Sequence, residues 1–181
     1  LSDVDATIRI LEYLGCVVTR DGQTITVDSS SINRYDVPDN LMREMRSSIV
    51  FLGGIMGRMG KAVLSTPGGC EIGLRPIDLH LSSLEQFGAT ISTENGFINC
   101  SSEEKGLHGT RIILSFPSVG ATENIILSAV LAKGTTIISN AAREPEISDL
   151  ADFLNRCGAK IYGAGDSTIT IEGVSCLKPC E

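Results

Sequence analysis

One loop of this sequence carries a cysteine in a setting that suits chemistry. Cys70 follows the Pro-Gly-Gly segment at 67–69, and Gly73 gives a second pivot, so the thiol stands on a sterically open segment. Arg75 lies five residues further on, where a guanidinium could lower the pKa of a thiol or bind an anion. These residues suit an acidic or nucleophilic thiol beside a substrate that bears phosphate or carboxylate. A plain surface loop explains the same composition, which by itself does not decide between the two.

A helix is expected directly after this loop. Pro76 suits a first helical turn, Asp78 and His80 follow in that turn, and helix N-termini attract anions. Arg46 opens an otherwise apolar helix, where it could bind an anion or simply be solvated. Residues 118–122 precede another buried helix, so they form either a plain helix start or a turn whose N–H groups hold a ligand.

Two other segments are weaker candidates. Arg143, Glu144 and Glu146 occupy the loop that corresponds to the cysteine loop, either as substrate contacts or as a salt-bridged turn, and the turn is favoured. The glycines within 53–60 predict close helix packing and do not form a phosphate loop. Their spacing differs from G-x4-G-K, and Ala62 stands where that motif needs Ser or Thr.

The composition excludes several classes of protein. The chain has 181 residues, of which 42% are hydrophobic and 20% charged, as in a globular domain with its own core. A net charge of −7 with 4% aromatic residues argues against nucleic-acid binding, which needs a basic surface. No apolar run approaches the roughly 18–20 residues of a membrane span, and the first residues do not resemble a signal peptide. We therefore expect neither a nucleic-acid nor a membrane partner.

The six cysteines predict a reduced, cytoplasmic protein. A chain of this length can bury its own core without disulfides. Cys16, Cys100 and Cys157 lie in apolar surroundings that are typical of small buried side chains. Cys176 and Cys180 have no histidine beside them, so no metal site is predicted.

Three glycines mark an internal repeat. Gly15, Gly88 and Gly158 each end an amphipathic helix and precede a strand, a turn and a second strand, at spacings of 73 and 70 residues. Buried helices predicted at 48–59 and 121–133, each followed by a short strand, precede the second and third copies, and residues 111–115 add an opening strand to the third. The sequence thus predicts an α/β fold of repeated β-α-β-α-β-β units with pseudo-threefold symmetry.

The repeat also predicts unit boundaries. We expect residues 1–181 to form a single domain with units at about 1–30, 31–104 and 105–175, the first of them truncated to its back half. The other two differ in one loop, since residues 66–78 number 13 and the matching 140–148 number 9. A repeat that departs from its own template in a loop suggests function in that loop.

Four segments of the chain resemble the UDP-N-acetylglucosamine 1-carboxyvinyltransferase family, the enolpyruvyl transferases that open peptidoglycan synthesis. The first is PGGCEIGLRPIDLH at 67–80, and the others lie at 45–48, 117–124 and 140–147. The resemblance covers the whole chain. It implies an enolpyruvyl transferase domain of the inside-out α/β barrel type, which would be the Cys-loop catalytic domain of a two-domain enzyme.

The resemblance also implies a reaction, which is transfer of enolpyruvyl from phosphoenolpyruvate to the 3-hydroxyl of UDP-N-acetylglucosamine with release of phosphate and no cofactor. Cys70 would be the general acid that protonates C3 of phosphoenolpyruvate, and the thiol that fosfomycin alkylates. Arg75 would bind the phosphate of phosphoenolpyruvate. The residues expected to line the substrates are Arg46, Arg75, Pro76, Ile77, Asp78, Leu79, His80, Ser118, Val119 and Gly120.

The family pattern includes residues that this chain does not contain. A Lys-Asn pair, the Asp that acts as base and further arginines would come from elsewhere, mostly from a second domain, so the isolated chain is expected to be inactive. The alternative is a non-catalytic module of the same fold that binds a UDP-sugar or a partner protein. Retention of Cys70 and Arg75 favours the enzyme, because a pure binding module needs no acid.

Overall fold

The computed structural model describes residues 2–45, 47–65, 77–103 and 106–181. Within those ranges, no helix is both long enough and apolar enough to cross a membrane. In chain order the elements are α1 (Ser2–Tyr13), β1 (Val17–Asp21), β2 (Thr24–Asp28), β3 (Asp36–Val37), α2 (Asp39–Met42), a 3-10 helix (Ser48–Val50), α3 (Phe51–Met59), β4 (Lys61–Ser65), α4 (Asp78–Gln86), β5 (Ala89–Glu94), β6 (Phe97–Ser102), β7 (Arg111–Ile113), α5 (Val119–Ala129), β8 (Thr135–Ser139), α6 (Pro145–Arg156), β9 (Lys160–Tyr162) and β10 (Thr168–Glu172).

Two four-stranded sheets share one topology. Their strand orders are β3-β4-β6-β5 and β7-β8-β10-β9. In each sheet the first pair of strands is parallel and the other two pairs are antiparallel. A buried helix connects each parallel pair, as parallel strands require, so each unit runs β-α-β-α-β-β. The predicted fold class is confirmed.

The units differ in ways that the repeat does not predict. Residues 2–28 form only α1 and the hairpin β1–β2, in agreement with a first unit that holds its back half. The second unit adds α2 and the 3-10 helix between β3 and α3, where the third unit passes from β7 to α5 with no helix between them. The Ser48–Met59 segment, predicted as one helix, is therefore a 3-10 turn that continues into α3.

The helix-ending glycines have a left-handed backbone conformation. Gly15, Gly88 and Gly158 have φ values of 102°, 90° and 94°, in the left-handed region. After the first and third of them, the next N–H returns to a carbonyl five residues back, at 2.9 Å for Cys16 to Leu11 and 3.0 Å for Ala159 to Leu154. This is the pattern of a Schellman cap, which turns the chain from each helix into its hairpin.

The core is organised around the contact between α3 and α5. A Cβ placed on Gly53 would lie 2.5 Å from the carbonyl oxygen of Asn124, and one on Gly57 would lie 2.8 Å from that of Leu127. The two backbones therefore touch at two successive turns of α3. Apolar side chains complete the contact, and Ile125 and Ile126 of α5 are fully buried. The close helix packing predicted from the glycines is confirmed at Gly53 and Gly57, and the contact joins the second unit to the third.

Substitution of Gly53 by Ala tests this contact. The new methyl group overlaps backbone atoms that cannot rotate away, so we expect Gly53→Ala to lower the free energy of unfolding by about 1–3 kcal/mol or more. Gly54→Ala is the matched control, because no atom lies within 4 Å of a Cβ there. Loss of a helical glycine at that position should raise stability by about 0.5–1 kcal/mol. Urea denaturation followed by circular dichroism measures both, and equal effects of the two substitutions would contradict the contact.

Candidate active site at two helix N-termini

The predicted site residues fall into two groups. Ile77, Asp78, Leu79 and His80 lie at the start of α4, and Ser118, Val119 and Gly120 lie at the start of α5. The other four predicted residues lie outside the described residues, and they are Arg46, Cys70, Arg75 and Pro76.

The start of α4 has no side-chain cap among the described residues. The carbonyl of Ile77 accepts the N–H groups of His80 at 3.0 Å and Leu81 at 3.1 Å, so the helix forms immediately at Asp78. Ile77 has no side-chain oxygen that could cap the first turn, and Asp78 is exposed. The first-turn N–H groups and the positive end of the helix dipole therefore favour an anionic ligand at this end of α4.

The start of α5 is capped and braced. Ser118 is the N-cap residue, and its Oγ accepts the Ala121 N–H at 3.4 Å. The Thr122 hydroxyl donates to the Ser118 carbonyl at 2.8 Å and accepts the Ala142 N–H at 3.1 Å. The first turn of α5 is thereby tied to the loop before α6. In that loop, Glu144 accepts the backbone N–H of Arg143 at 2.8 Å.

His80 brings the two helix starts together. Its side chain is only 8% exposed, and a Cβ on Gly120 would lie 3.2 Å from its Cε1 atom. The imidazole ring thus rests on the second residue of α5, where a larger residue than glycine would displace it. The two predicted groups of contact residues, 77–80 and 118–120, are neighbours in space.

Asn124 also lies at this site, although the sequence predicts no role for it. Its side-chain nitrogen lies 2.6 Å from Nδ1 of His80, and Asn124 is 2% exposed. The feature of the sequence that could have indicated Asn124 is its place directly before two isoleucines, in a helix that is buried along most of its length. A buried polar group must find partners, and its partners here come from the second unit.

The electrostatics of the site follow from this burial. Removal from water disfavours a charged imidazole, and burial lowers the pKa of His80 to about 4. The ring is therefore neutral at physiological pH and acts as a hydrogen-bonding group instead of a cation. Burial likewise raises the pKa of the Cys100 thiol to about 11, with a smaller contribution from Glu85. Cys16, Cys100 and Cys157 are buried, as predicted, and so are poor nucleophiles.

A separate groove of about 490 Å³ lies between α1, α3 and α5. Its lining is mainly apolar and includes Leu11, Phe51 and Leu127. Glu123 also lines it, and burial, followed by the nearby Glu146 carboxylate, raises the pKa of Glu123. Of the predicted contact residues that the structure describes, none lines this groove. It suits apolar side chains better than a phosphate, so we place the candidate site at the helix starts.

No metal centre competes with this assignment in the part of the chain that the structure describes. Among those residues, no three His, Cys, Asp or Glu side chains come together in a group that could hold an ion.

The fold is that of an enolpyruvyl transferase domain. The chain belongs to the EPSP synthase (3-phosphoshikimate 1-carboxyvinyltransferase) family, whose model matches residues 1–181. Among curated proteins it is 53% identical, over 183 residues, to UDP-N-acetylglucosamine 1-carboxyvinyltransferase 2 of Caldanaerobacter subterraneus subsp. tengcongensis, covering 100% of this chain and 43% of that protein. It is 52% identical, over 177 residues, to the UDP-N-acetylglucosamine 1-carboxyvinyltransferase of Vibrio parahaemolyticus, covering 98% of this chain and 42% of that protein. The resemblance noted in the sequence is confirmed.

Solved structures agree on the fold. The enolpyruvyl transferase NikO from Streptomyces tendae superimposes with a TM-score of 0.82 at 24% identity, covering 98% of this chain and 42% of that one. EPSP synthase from Acinetobacter baumannii superimposes with a TM-score of 0.71 at 18% identity, covering 98% of this chain and 40% of that one. The chain therefore spans about two fifths of the length of the proteins it matches.

The burial of His80 predicts how stability depends on pH. A histidine in the unfolded chain has a pKa near 6.5. Between about pH 6.5 and 4 the unfolded state therefore binds a proton at His80 that the folded state does not bind. The stability that His80 contributes is fully present above about pH 6.5 and falls by about 3 kcal/mol as the pH drops to 4. An NMR titration of the imidazole protons measures this directly, since the chain has only two histidines.

His108→Gln serves as the control for that titration. It removes the other histidine, which is exposed, and should leave one imidazole that titrates near pH 4. A remaining histidine that titrates near 6.5 in the folded protein would show that His80 is not buried as described.

Proposed function

We propose that the protein to which this chain belongs transfers the enolpyruvyl group of phosphoenolpyruvate to the 3-hydroxyl of UDP-N-acetylglucosamine, with release of phosphate. The observation that carries the proposal is the identity of about half of all residues with relatives named for this reaction, across essentially the whole chain. The reaction is the first committed step of peptidoglycan synthesis. It would connect the protein to cell-wall formation, cell shape and cell division, in the cytoplasm where both substrates are made.

The chemistry assigns Cys70 the role of general acid. Transfer of the thiol proton to C3 of phosphoenolpyruvate makes C2 electron-deficient, and the sugar 3-hydroxyl adds to C2 as it gives up its own proton to a base. Loss of a proton from C3 and departure of phosphate from C2 then restore the double bond in the enolpyruvyl ether. An acid close to C3 and poised near the operating pH accelerates the first step. A thiol that performs this step is also the group that fosfomycin would alkylate.

The helix starts suit the binding of the other substrate groups. Ser118, Val119 and Gly120 begin α5, and backbone N–H groups at a helix N-terminus bind phosphate well. Ile77, Asp78, Leu79 and His80 begin α4 beside them, so a nucleotide-sugar diphosphate placed there would meet both helix ends. Arg46, Arg75 and Pro76 complete the proposed set, with Arg75 on the phosphate of phosphoenolpyruvate. The positive charges of the two arginines are valuable on a chain of net charge −7.

A second domain is part of the proposal. The chain spans 42–43% of the curated relatives it matches, and the base and further arginines of the reaction would come from the rest of the protein. The 181 residues would then form one wall of a cleft. We therefore expect the isolated chain to lack transferase activity while it retains the acid.

Cys70→Ala tests the proposed role. The corresponding 177 residues of the Vibrio parahaemolyticus relative are replaced by this chain, and phosphate release from the two substrates is measured. The chimera should be active, and Cys70→Ala should lower kcat by about 100-fold to 10,000-fold, the usual contribution of a general acid. Cys176→Ala is the matched control, because that thiol is exposed and distant in sequence from the loop. The chimera with this substitution should have unchanged activity.

Two results would reject the proposal. An unchanged kcat in Cys70→Ala would show that Cys70 is not the general acid. A chimera that binds UDP-N-acetylglucosamine but never releases phosphate would favour the alternative, a non-catalytic module of the same fold.

A further inference from the structure

Asn124 makes hydrogen bonds to three other elements at once. Its Nδ2 donates to the carbonyl of Ile49 in the 3-10 helix at 3.1 Å, and its Oδ1 accepts the Gly53 N–H of α3 at 2.6 Å. The same Nδ2 lies 2.6 Å from Nδ1 of His80 on α4. With Asn124 itself on α5, one buried amide connects four elements from two different units.

These partners fix the direction of every bond. The Gly53 N–H can only donate, so the atom that faces it must be the amide oxygen. The other end of the amide is then NH2, which can donate but cannot accept. Nδ1 of His80 is therefore the acceptor, and the proton of the neutral imidazole must be on Nε2.

The protonated nitrogen lies on the side of the ring that faces the candidate site. A Cβ on Gly120 would lie 3.2 Å from Cε1 and 3.6 Å from Nε2, so this edge of the ring rests against the first turn of α5. The other ring nitrogen, Nδ1, is bound by Asn124. The amide thus determines which nitrogen of His80 offers a proton, and that nitrogen lies beside Gly120, one of the residues proposed to bind the nucleotide sugar.

Asn124 also connects the segments that carry the proposed contacts. His80 belongs to the 77–80 group, and Asn124 lies four residues beyond Gly120 on the same helix. A shift of the amide would move the two segments relative to one another. Displacements of this size matter because binding groups must be held in place to be effective.

We propose that Asn124 is a positioning residue, which holds His80 neutral with its proton on Nε2 and so places a hydrogen-bond donor between the first turns of α4 and α5 for the nucleotide sugar. Its action on substrate rests on the proposed function, whereas the state of His80 does not.

The tautomer is measured on the 181-residue chain without ligand. Nitrogen-15 NMR distinguishes the two ring nitrogens, and His108→Gln leaves His80 as the only histidine. At pH 7 we expect a neutral ring with the proton on Nε2. A ring protonated on Nδ1, or an equal mixture of the two forms, would overturn the proposal whether or not the protein is a transferase.

In the active chimera, Asn124→Asp reverses which group donates in the hydrogen bond between residue 124 and Nδ1 of His80. A carboxylate still accepts from Gly53 but cannot donate to Nδ1, so the proton should move from Nε2 to Nδ1. We expect the KM for UDP-N-acetylglucosamine to rise about tenfold, the effect of one lost hydrogen bond, with a much smaller change in kcat. Asn95→Asp, at an exposed turn, introduces the same charge and should change neither. A shifted tautomer with an unchanged KM would refute the positioning role.

Two substitutions at His80 provide the test if Asn124→Asp does not fold. Asparagine keeps an acceptor near the position of Nδ1, whereas glutamine keeps a donor near that of Nε2. The chimera with His80→Gln should have the lower KM for UDP-N-acetylglucosamine, and the reverse order would overturn the proposal. A chimera that releases no phosphate refutes the proposed function, and the tautomer in the isolated chain then decides the inference by itself.

Discussion

The rest of the structure depends on one close contact between backbones. At Gly53 the helix α3 meets α5 without room for a methyl group, and the Gly53 N–H is bonded to the Asn124 side chain. This contact is where the second and third units join. Because α4 packs on the same stretch of α5 through His80, the distance between the two site-bearing helix starts is determined by the same contact.

Much of the fold could be predicted because its signals are local. The glycines at 15, 88 and 158 adopt the left-handed conformation that ends a helix, and the strands that follow pair as hairpins. A period of about 70 residues allows one unit to be checked against another. The insertion of α2 and the 3-10 helix was missed because it has no counterpart in the third unit, so the repeat carries no information about it.

The site was predictable only in part. The positions of 77–80 and 118–120 at helix starts follow from local sequence, since Ser118 is an ordinary N-cap residue. Their proximity does not, because it depends on a bond between residues 44 positions apart. Asn124 could be recognised in the sequence as an unusual residue in an apolar helix, but its partners are set by packing between units, which has no periodic signature. The roles of Cys70 and Arg75 came from family resemblance and remain proposals.

The bond from Gly53 to Asn124 also has a consequence for dynamics. Within a helix, an amide proton is normally protected by the carbonyl four residues earlier, so it exchanges with solvent deuterium when that turn frays. The Gly53 proton is protected by a side chain 71 residues away, on a helix of the next unit. This bond breaks only when Gly53 and the Asn124 side chain move apart, so exchange at Gly53 depends on the contact between α3 and α5. That one amide therefore reports the opening of the interface between the units.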